Sequence, residues 1–347
     1  MAKRKRKQVK RGYPLLAFQV QKGRLRLVSK PTPKLRPGWA LVRVLLAGIC
    51  KTDVEILRGY HQFQGTPGHE FVGTIAAVND VSAGDRKKWM GRRVCGEINV
   101  TCTGYGFKRL CEFCQRGLNT HCARRTVLGI VAHDGAFAEY LALPLENLHV
   151  LPDNVDDEEA VFVEPLAAAC EILEQVNTRK FRVAAVLGDG KLAKLIARVL
   201  RTTIPSVVIY GKYEKKLMLA RCVGIETKKL RDAIDLKHIR EHYSLLVEAT
   251  GSPRGLELAQ QMTEPRGTLV LKSTFHGAAP VETWPIVVKE INVVGSRCGP
   301  FERAIALLRS GRVDPRPLVT RTFPLVEAPE AMLFAQQPGT MKVLLKA

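Results

Sequence analysis

The sequence has no Asp or Glu before Asp53, no long apolar run and no secretory signal ahead of its nine cysteines. Each absence narrows the reading. No stretch approaches the roughly 20 consecutive apolar residues that span a bilayer, so no membrane-crossing helix is expected. The N-terminus is basic but no apolar core follows it, so no signal peptide is expected, and a reducing, cytoplasmic setting is. There, clustered thiols bind metal rather than pair as disulfides. Cys95, Cys170, Cys222 and Cys298 stand singly and are expected to be buried as small hydrophobes. No internal repeat is found, and no low-complexity segment apart from the leader, residues 1–12.

What is present begins with size and charge. At 347 residues the chain exceeds the length at which one core keeps growing, so two domains are expected. The formal net charge is +21, and Lys3-Arg4-Lys5-Arg6-Lys7 with Lys10-Arg11 concentrates cations in the leader. No aromatic ring interleaves them for base stacking, so the leader reads as a solvated tail, with nucleic-acid binding at most weak and non-specific. It is also Ser-poor and runs within a dozen residues into strand-like sequence, which argues against a transit peptide.

The hydrophobic pattern changes midway. Trp39–Val44 and Phe71–Val78 read as strands among Pro- and Gly-rich breaks, making the first half β-rich. From Glu158 helix and strand signals alternate, the pattern of a parallel sheet with crossover helices. Leu166, Ala169, Cys170, Leu173 and Val176 form one helical face. Val183–Leu187, Val207–Tyr210, Leu245–Val247, Leu269–Leu271 and Ile291–Val294 supply the strands. The fold class is α/β.

Three groups of residues carry chemistry. Cys111-x2-Cys114-x7-Cys122 with Cys102 upstream places four thiols in a short stretch, a set that suits tetrahedral zinc. Gly188-Asp189-Gly190-Lys191-Leu192-Ala193 follows an apolar strand and opens a helix to about Leu200. Such a turn admits close backbone approach, and the helix N-terminus receives a dinucleotide pyrophosphate. The second strand then ends Gly211-Lys212-Tyr213, where NAD-binding folds usually place a carboxylate; a lysine there, with Lys215 and Lys216 beyond, favours the 2′-phosphate of NADP while leaving NAD possible. Finally Cys50, His69 and Glu164 are metal-ligand types far apart in sequence. Taken singly they read as a buried thiol, a core imidazole and a helix N-terminal carboxylate before Pro165.

Together with Gly68-His69-Glu70-Phe71-x-Gly73, Gly135-Ala136-Phe137-Ala138-Glu139-Tyr140, Glu164-Pro165-Leu166 and Ala249-Thr250-Gly251, these motifs resemble the zinc-dependent medium-chain dehydrogenase/reductase family from about Trp39 to Met341. That family includes alcohol, sorbitol, threonine and glucose dehydrogenases. Val163–Ala168 and Val294–Pro300 mark a branch of it. The resemblance implies a GroES-like catalytic domain at 13–164 and 300–347 and a doubly wound Rossmann domain at 165–299. It implies catalytic zinc on Cys50, His69 and Glu164, with Glu70 as an exchangeable ligand, and structural zinc on Cys102, Cys111, Cys114 and Cys122. Asp53 would fix the His69 tautomer, Thr52 would relay a proton and Lys51 would face cofactor phosphates, with Thr250 and Gly251 also at the cofactor.

The sequence departs from the family in three respects, the first being an overall basicity that the family does not lead one to expect. Glu55 stands where many members carry the relay's outer histidine, with His61 as a substitute. Cys102 and Cys111 are separated by eight residues, as if six had been inserted. The expected activity is hydride transfer between an alcohol, polyol or sugar, or the matching carbonyl, and NADP, in a homodimer or homotetramer. Cys50, His69 and Glu164 argue against a zinc-free quinone reductase of the same superfamily. The rival from another class is a catalytically weak scaffold that binds polyanions through its basic surface.

Overall fold

The computed structural model describes residues 14–230, 242–274 and 281–347, so the basic leader lies outside the described residues. The chain divides into two compact units. One runs to Val161 and adds Arg321–Gln336 and Val343–Ala347; the other comprises Phe162–Thr320 and Gln337–Lys342.

The first unit starts with β1 (Leu15–Gln21), β2 (Arg24–Lys30), β3 (Trp39–Ile49), α1 (Lys51–Leu57), β4 (Glu70–Val78) and α2 (Ala83–Trp89). It continues with β5 (Arg93–Gly96), β6 (Asn99–Val100), α3 (Glu112–Gln115), β7 (Thr126–Val127), β8 (Tyr140–Pro144), β9 (Leu148–Val150) and α4 (Asp157–Ala160). The second unit opens with α5 (Val163–Gln175), β10 (Val183–Leu187), α6 (Lys191–Leu200), β11 (Ser206–Gly211), α7 (Glu214–Arg221) and β12 (Glu226–Lys229). Next come β13 (Tyr243–Glu248), α8 (Pro253–Met262), β14 (Thr263–Leu271), α9 (Trp284–Val288), β15 (Asn292–Gly295) and α10 (Phe301–Arg309). The chain closes with β16 (Val319–Pro324), α11 (Ala328–Phe334) and β17 (Lys342–Lys346).

In the first unit β3 is central, bonded to β17, β4 and β8 in a sheet ordered β16-β17-β3-β4-β5-β9. Covered on both faces, β3 is apolar almost throughout and exposes only Arg43. Its antiparallel register with β4 sets Gly48 opposite Glu70. That register brings Cys50, just beyond β3, alongside the residues that lead into β4.

The second unit is a six-stranded sheet ordered β12-β11-β10-β13-β14-β15, with every pair parallel. The order reverses between β10 and β13, and ligands of such sheets bind outside the carboxyl ends of the strands at that point. Ala184–Leu187 are fully buried there. This is the α/β class expected from the pattern, a β-rich unit and a doubly wound one. Some details differ. α5 ends at Gln175, before Val176, and buries Ala167 and Ile172 while Leu173 is half-buried, because α6 and α10 both pack on it and widen the covered face. Cys95 and Cys170 are buried, but Cys298 is half-buried and Cys222 lies exposed just past α7.

Candidate functional site

Three sites follow from these elements, and the first lies where β3 hands over to α1. Cys50 caps α1 with an extended backbone, and Asp53 sits one turn in. The fully buried Asp53 carboxylate joins two chain segments. Its Oδ2 accepts from the Cys50 amide at 2.7 Å, its Oδ1 accepts from the Gly68 amide at 3.2 Å, and His69 Nδ1 lies 3.3 Å from Oδ1. Gly68 itself has φ +96°, a left-handed conformation that favours glycine, and a Cβ there would fall 2.4 Å from the Phe137 ring.

The Gly135-Ala136-Phe137 motif is the other half of this clamp. Its amides donate to Thr66 O, Gly68 O and Pro67 O at 2.6, 2.8 and 2.9 Å. The outcome is that Cys50, His69 and Glu70 present ligand atoms within 4.8 Å of one another, with His69 and Glu70 buried. Burial opposes a charged imidazole, yet Asp53 and the Cys50 thiol raise the His69 pKa well above its ordinary value. The field of the site favours a cation at that ring. A sulfur, an imidazole and a carboxylate at this spacing make a donor set that fits zinc.

Around that cluster, Thr52 Oγ1 lies 3.7 Å from Cys50 Sγ, and Lys51 is exposed at the start of α1. Glu55 forms an ion pair with Arg58 at 3.0 Å. His61 is exposed in a left-handed conformation (φ +55°) with its ring against Tyr60. Glu164 belongs to the second unit, half-buried in the first turn of α5, among the charges that surround the buried Lys272. Lys272 donates to Ser296 Oγ at 2.9 Å and Arg297 O at 2.7 Å, which explains the Val294–Pro300 stretch as a segment tied to the sheet end.

The cysteine cluster is the second site. Cys102, Cys111, Cys114 and Cys122 also lie within 4.8 Å of one another. Sγ of Cys122 is 3.5 Å from that of Cys102 and 3.8 Å from that of Cys111, far too long for a disulfide. Tetrahedral zinc with bonds of about 2.3 Å separates its sulfurs by about 3.8 Å, so the thiols fit it. Backbone amides of Cys114 and Ala123 lower the Cys111 thiol to about 6, whereas burial pushes Cys114 to about 12 and Cys122 upward. The inserted residues fold aside: Trp39 Nε1 donates to Gly104 O at 2.8 Å, and Tyr105 stacks on Phe107.

The third site is a cavity of about 810 Å³ at the carboxyl ends of β10, β11 and β13. Gly188, Asp189, Gly190, Gly211, Lys212 and Thr250 line it; Lys191, Leu192 and Gly251, expected there, are adjacent but not lining. Gly188 has φ +133°, and a Cβ would strike Ala249 O at 2.6 Å. Three cations beyond Lys212 also line the cavity, namely Lys216, Lys229 and Arg254. Lys229 and Arg254 were missed from sequence. The Ser252-Pro253 helix start, whose Ser252 Oγ accepts from the Gly255 amide, was the available signal for Arg254. Lys194 was missed too: buried in α6, it donates to Asp189 O, and burial depresses its pKa to about 8.

Residues 36–153 match the family model of the alcohol dehydrogenase GroES-like domain. D-altritol 5-dehydrogenase of Agrobacterium fabrum is 30% identical, the alignment covering 94% of this chain and 98% of that protein. Among solved structures, the alcohol dehydrogenase RspB of Escherichia coli CFT073, complexed with NADH, is 27% identical with a TM-score of 0.87, covering 97% of this chain and 100% of that one. A zinc-binding dehydrogenase of Sinorhizobium meliloti 1021, bound to NADP, is 25% identical with a TM-score of 0.84, covering 96% and 99%.

Proposed function

Since this chain belongs to the zinc-type medium-chain dehydrogenase/reductase family, we propose that it interconverts a polyol or sugar alcohol and the matching carbonyl with zinc and a preference for NADP. It is an NAD(P)-dependent dehydrogenase acting on CH–OH groups. The observation that carries the finer reading is the buried cluster of Cys50, His69 and Glu70 organised by Asp53.

Zinc bound there supplies a Lewis acid for the substrate oxygen, and the nicotinamide supplies or accepts hydride. The residues do the rest. Asp53 Oδ1, 3.3 Å from Nδ1 of His69, would fix the tautomer that leaves Nε2 for the metal. Thr52 Oγ1, beside Cys50 Sγ, passes the hydroxyl proton outward. Glu55 can receive it only by exchanging its pairing with Arg58, so His61 remains the alternative outlet. Glu164 is proposed as a further ligand on the resemblance alone. Cys102, Cys111, Cys114 and Cys122 hold the structural zinc. Lys212 and the neighbouring cations favour a 2′-phosphate. A homodimer or homotetramer is the proposed assembly, which sedimentation of the purified chain decides. Among the described residues no helix is long and apolar enough to cross a membrane. The polyanion-binding scaffold is not favoured, because the relatives named above are dehydrogenases.

Elemental analysis and coupled assays test the reading. Two zinc ions per chain are expected, and Cys50→Ser should lose one together with turnover while the fold survives. A stoichiometry near one that Cys50→Ser leaves unchanged rules out the catalytic site. NADP should exceed NAD in kcat/KM by roughly 10- to 150-fold, the value of a charge-assisted contact of about 1.5–3 kcal/mol. Lys212→Asp should erode that ratio, and equal use of both cofactors by the unmodified chain sinks the assignment.

A further inference from the structure

Folds of this kind hold the adenosine ribose at the end of the second strand, where a carboxylate accepts from its hydroxyls or a cation takes a 2′-phosphate. The end of β11 has no carboxylate of its own, reading Gly211-Lys212-Tyr213. One reaches it nevertheless from the glycine turn after β10. Asp189 Oδ2 accepts from the amides of Lys212 and Tyr213, each at 2.8 Å. Gly211 leaves the room for it, since a Cβ at that position would fall 2.5 Å from Asp189 Cβ and 2.9 Å from its Oδ2. Asp189 lines the same cavity as Lys212, Lys216, Lys229 and Arg254. Two successive backbone N–H donors amid cationic side chains form an anion site. Here the anion is the protein's own.

We infer that Asp189 is an internal competitor for the 2′-phosphate, a specificity-determining residue that opposes the surrounding cations and sets how far they favour NADP over NAD. The inference rests on the reading of this cavity as the dinucleotide site. An incoming 2′-phosphate must share or displace the carboxylate at the two amides, and it meets a like charge there. A ribose that ends in a 2′-hydroxyl meets an acceptor instead. Asp189 thus works against Lys212 although both lie at the same subsite. Its hydrogen bonds also brace the turn against β11, a structural role that the test has to separate from the electrostatic one.

Asp189→Asn keeps an oxygen that can accept from both amides and removes the charge; Asp189→Ala removes both. Calorimetric titration of the full chain and each variant with 2′,5′-ADP and with 5′-AMP requires no turnover, and the two ligands differ only in the 2′-phosphate. Asp189→Asn should raise the affinity ratio of 2′,5′-ADP over 5′-AMP about tenfold, the size expected when one charge is removed beside a phosphate of nearly two charges in a half-exposed site. Asp189→Ala should move the ratio the same way. An unchanged or lowered ratio in Asp189→Asn, with 5′-AMP still bound, overturns the role of Asp189 and leaves the cavity reading intact. A ratio raised by Ala but not by Asn means that freed amides, not charge, are responsible, and also overturns it. If neither nucleotide binds the unmodified chain, the dinucleotide reading fails and takes this inference with it.

Discussion

Gly135→Ala tests whether the position of His69 is set by backbone contact between two loops of the first unit. A Cβ at residue 135 would lie 2.1 Å from Gly68 O, 2.7 Å from Gly129 Cα and 2.7 Å from Pro67 O. All three are backbone atoms, so no side-chain rotation relieves the clash. Gly68 cannot retreat easily, since it is held against Phe137 and its amide donates to Asp53. Relief therefore requires the two loops to part by about 1 Å, enough to break the three amide bonds from Gly135, Ala136 and Phe137. Three such bonds at about 1 kcal/mol each, with overpacking of about 1–3 kcal/mol, give a destabilisation of about 4–6 kcal/mol. That is a large part of the roughly 5–15 kcal/mol by which a domain is stable. At about 2–4 °C per kcal/mol for a unit of this size, the first calorimetric transition should drop by roughly 10 °C or more. Zinc bound by Cys50, His69 and Glu70 should be lost in parallel, because Gly68 and His69 move together. A midpoint within about 2 °C of the unmodified chain, with zinc content unchanged, would refute the bracing argument.

Gly190→Ala should behave in the opposite way. No atom lies within 4 Å of its added Cβ and φ is −74°, so stability should hold. Dinucleotide affinity should fall about tenfold or more because the methyl closes the approach of the pyrophosphate, and an unchanged Kd counts against the site. Asp134 accepts from the Thr66 amide at 2.8 Å and pairs with Lys30; burial lifts its pKa, but these partners bring it below its ordinary value. With the folded pKa depressed, its stabilisation is present above about pH 4 and is lost as pH falls through the lowered value. Asp134→Asn should flatten the acid side of the Tm–pH curve below about pH 4, and an identical acid slope refutes the assignment. Zinc binding to the cysteine lobe near pH 7.5 should release at least two protons, since Cys114 and Cys122 are held as thiols while Cys111 is already ionised. Calorimetry in buffers of different ionisation enthalpy measures this, and release of none places the metal elsewhere.

The sequence by itself determined what short-range patterns encode. Ala184–Leu187 is an unbroken apolar run because that part of β10 is buried on both faces, and the glycines after it could only be a tight turn into α6. The change from β-rich to alternating elements was legible for the same reason, since periodicity reports burial along one segment. β12 was not legible: among the described residues Glu226-Thr227-Lys228-Lys229 is an outermost strand with one neighbour and little burial, so nothing selects apolar residues there. The sites divide along the same line. The thiols at 111, 114 and 122 announce themselves by spacing, whereas Cys50 and His69, 19 residues apart, meet only because β3 and β4 pair with Gly48 opposite Glu70 and Asp53 bonds both segments. The cationic cavity draws Lys212, Lys229 and Arg254 from the ends of β11 and β12 and the start of α8, and Asp189 reaches β11 from the turn after β10. Local periodicity carries no information about which strand ends lie side by side. Strand order and register decide that, and they are fixed by the whole core at once.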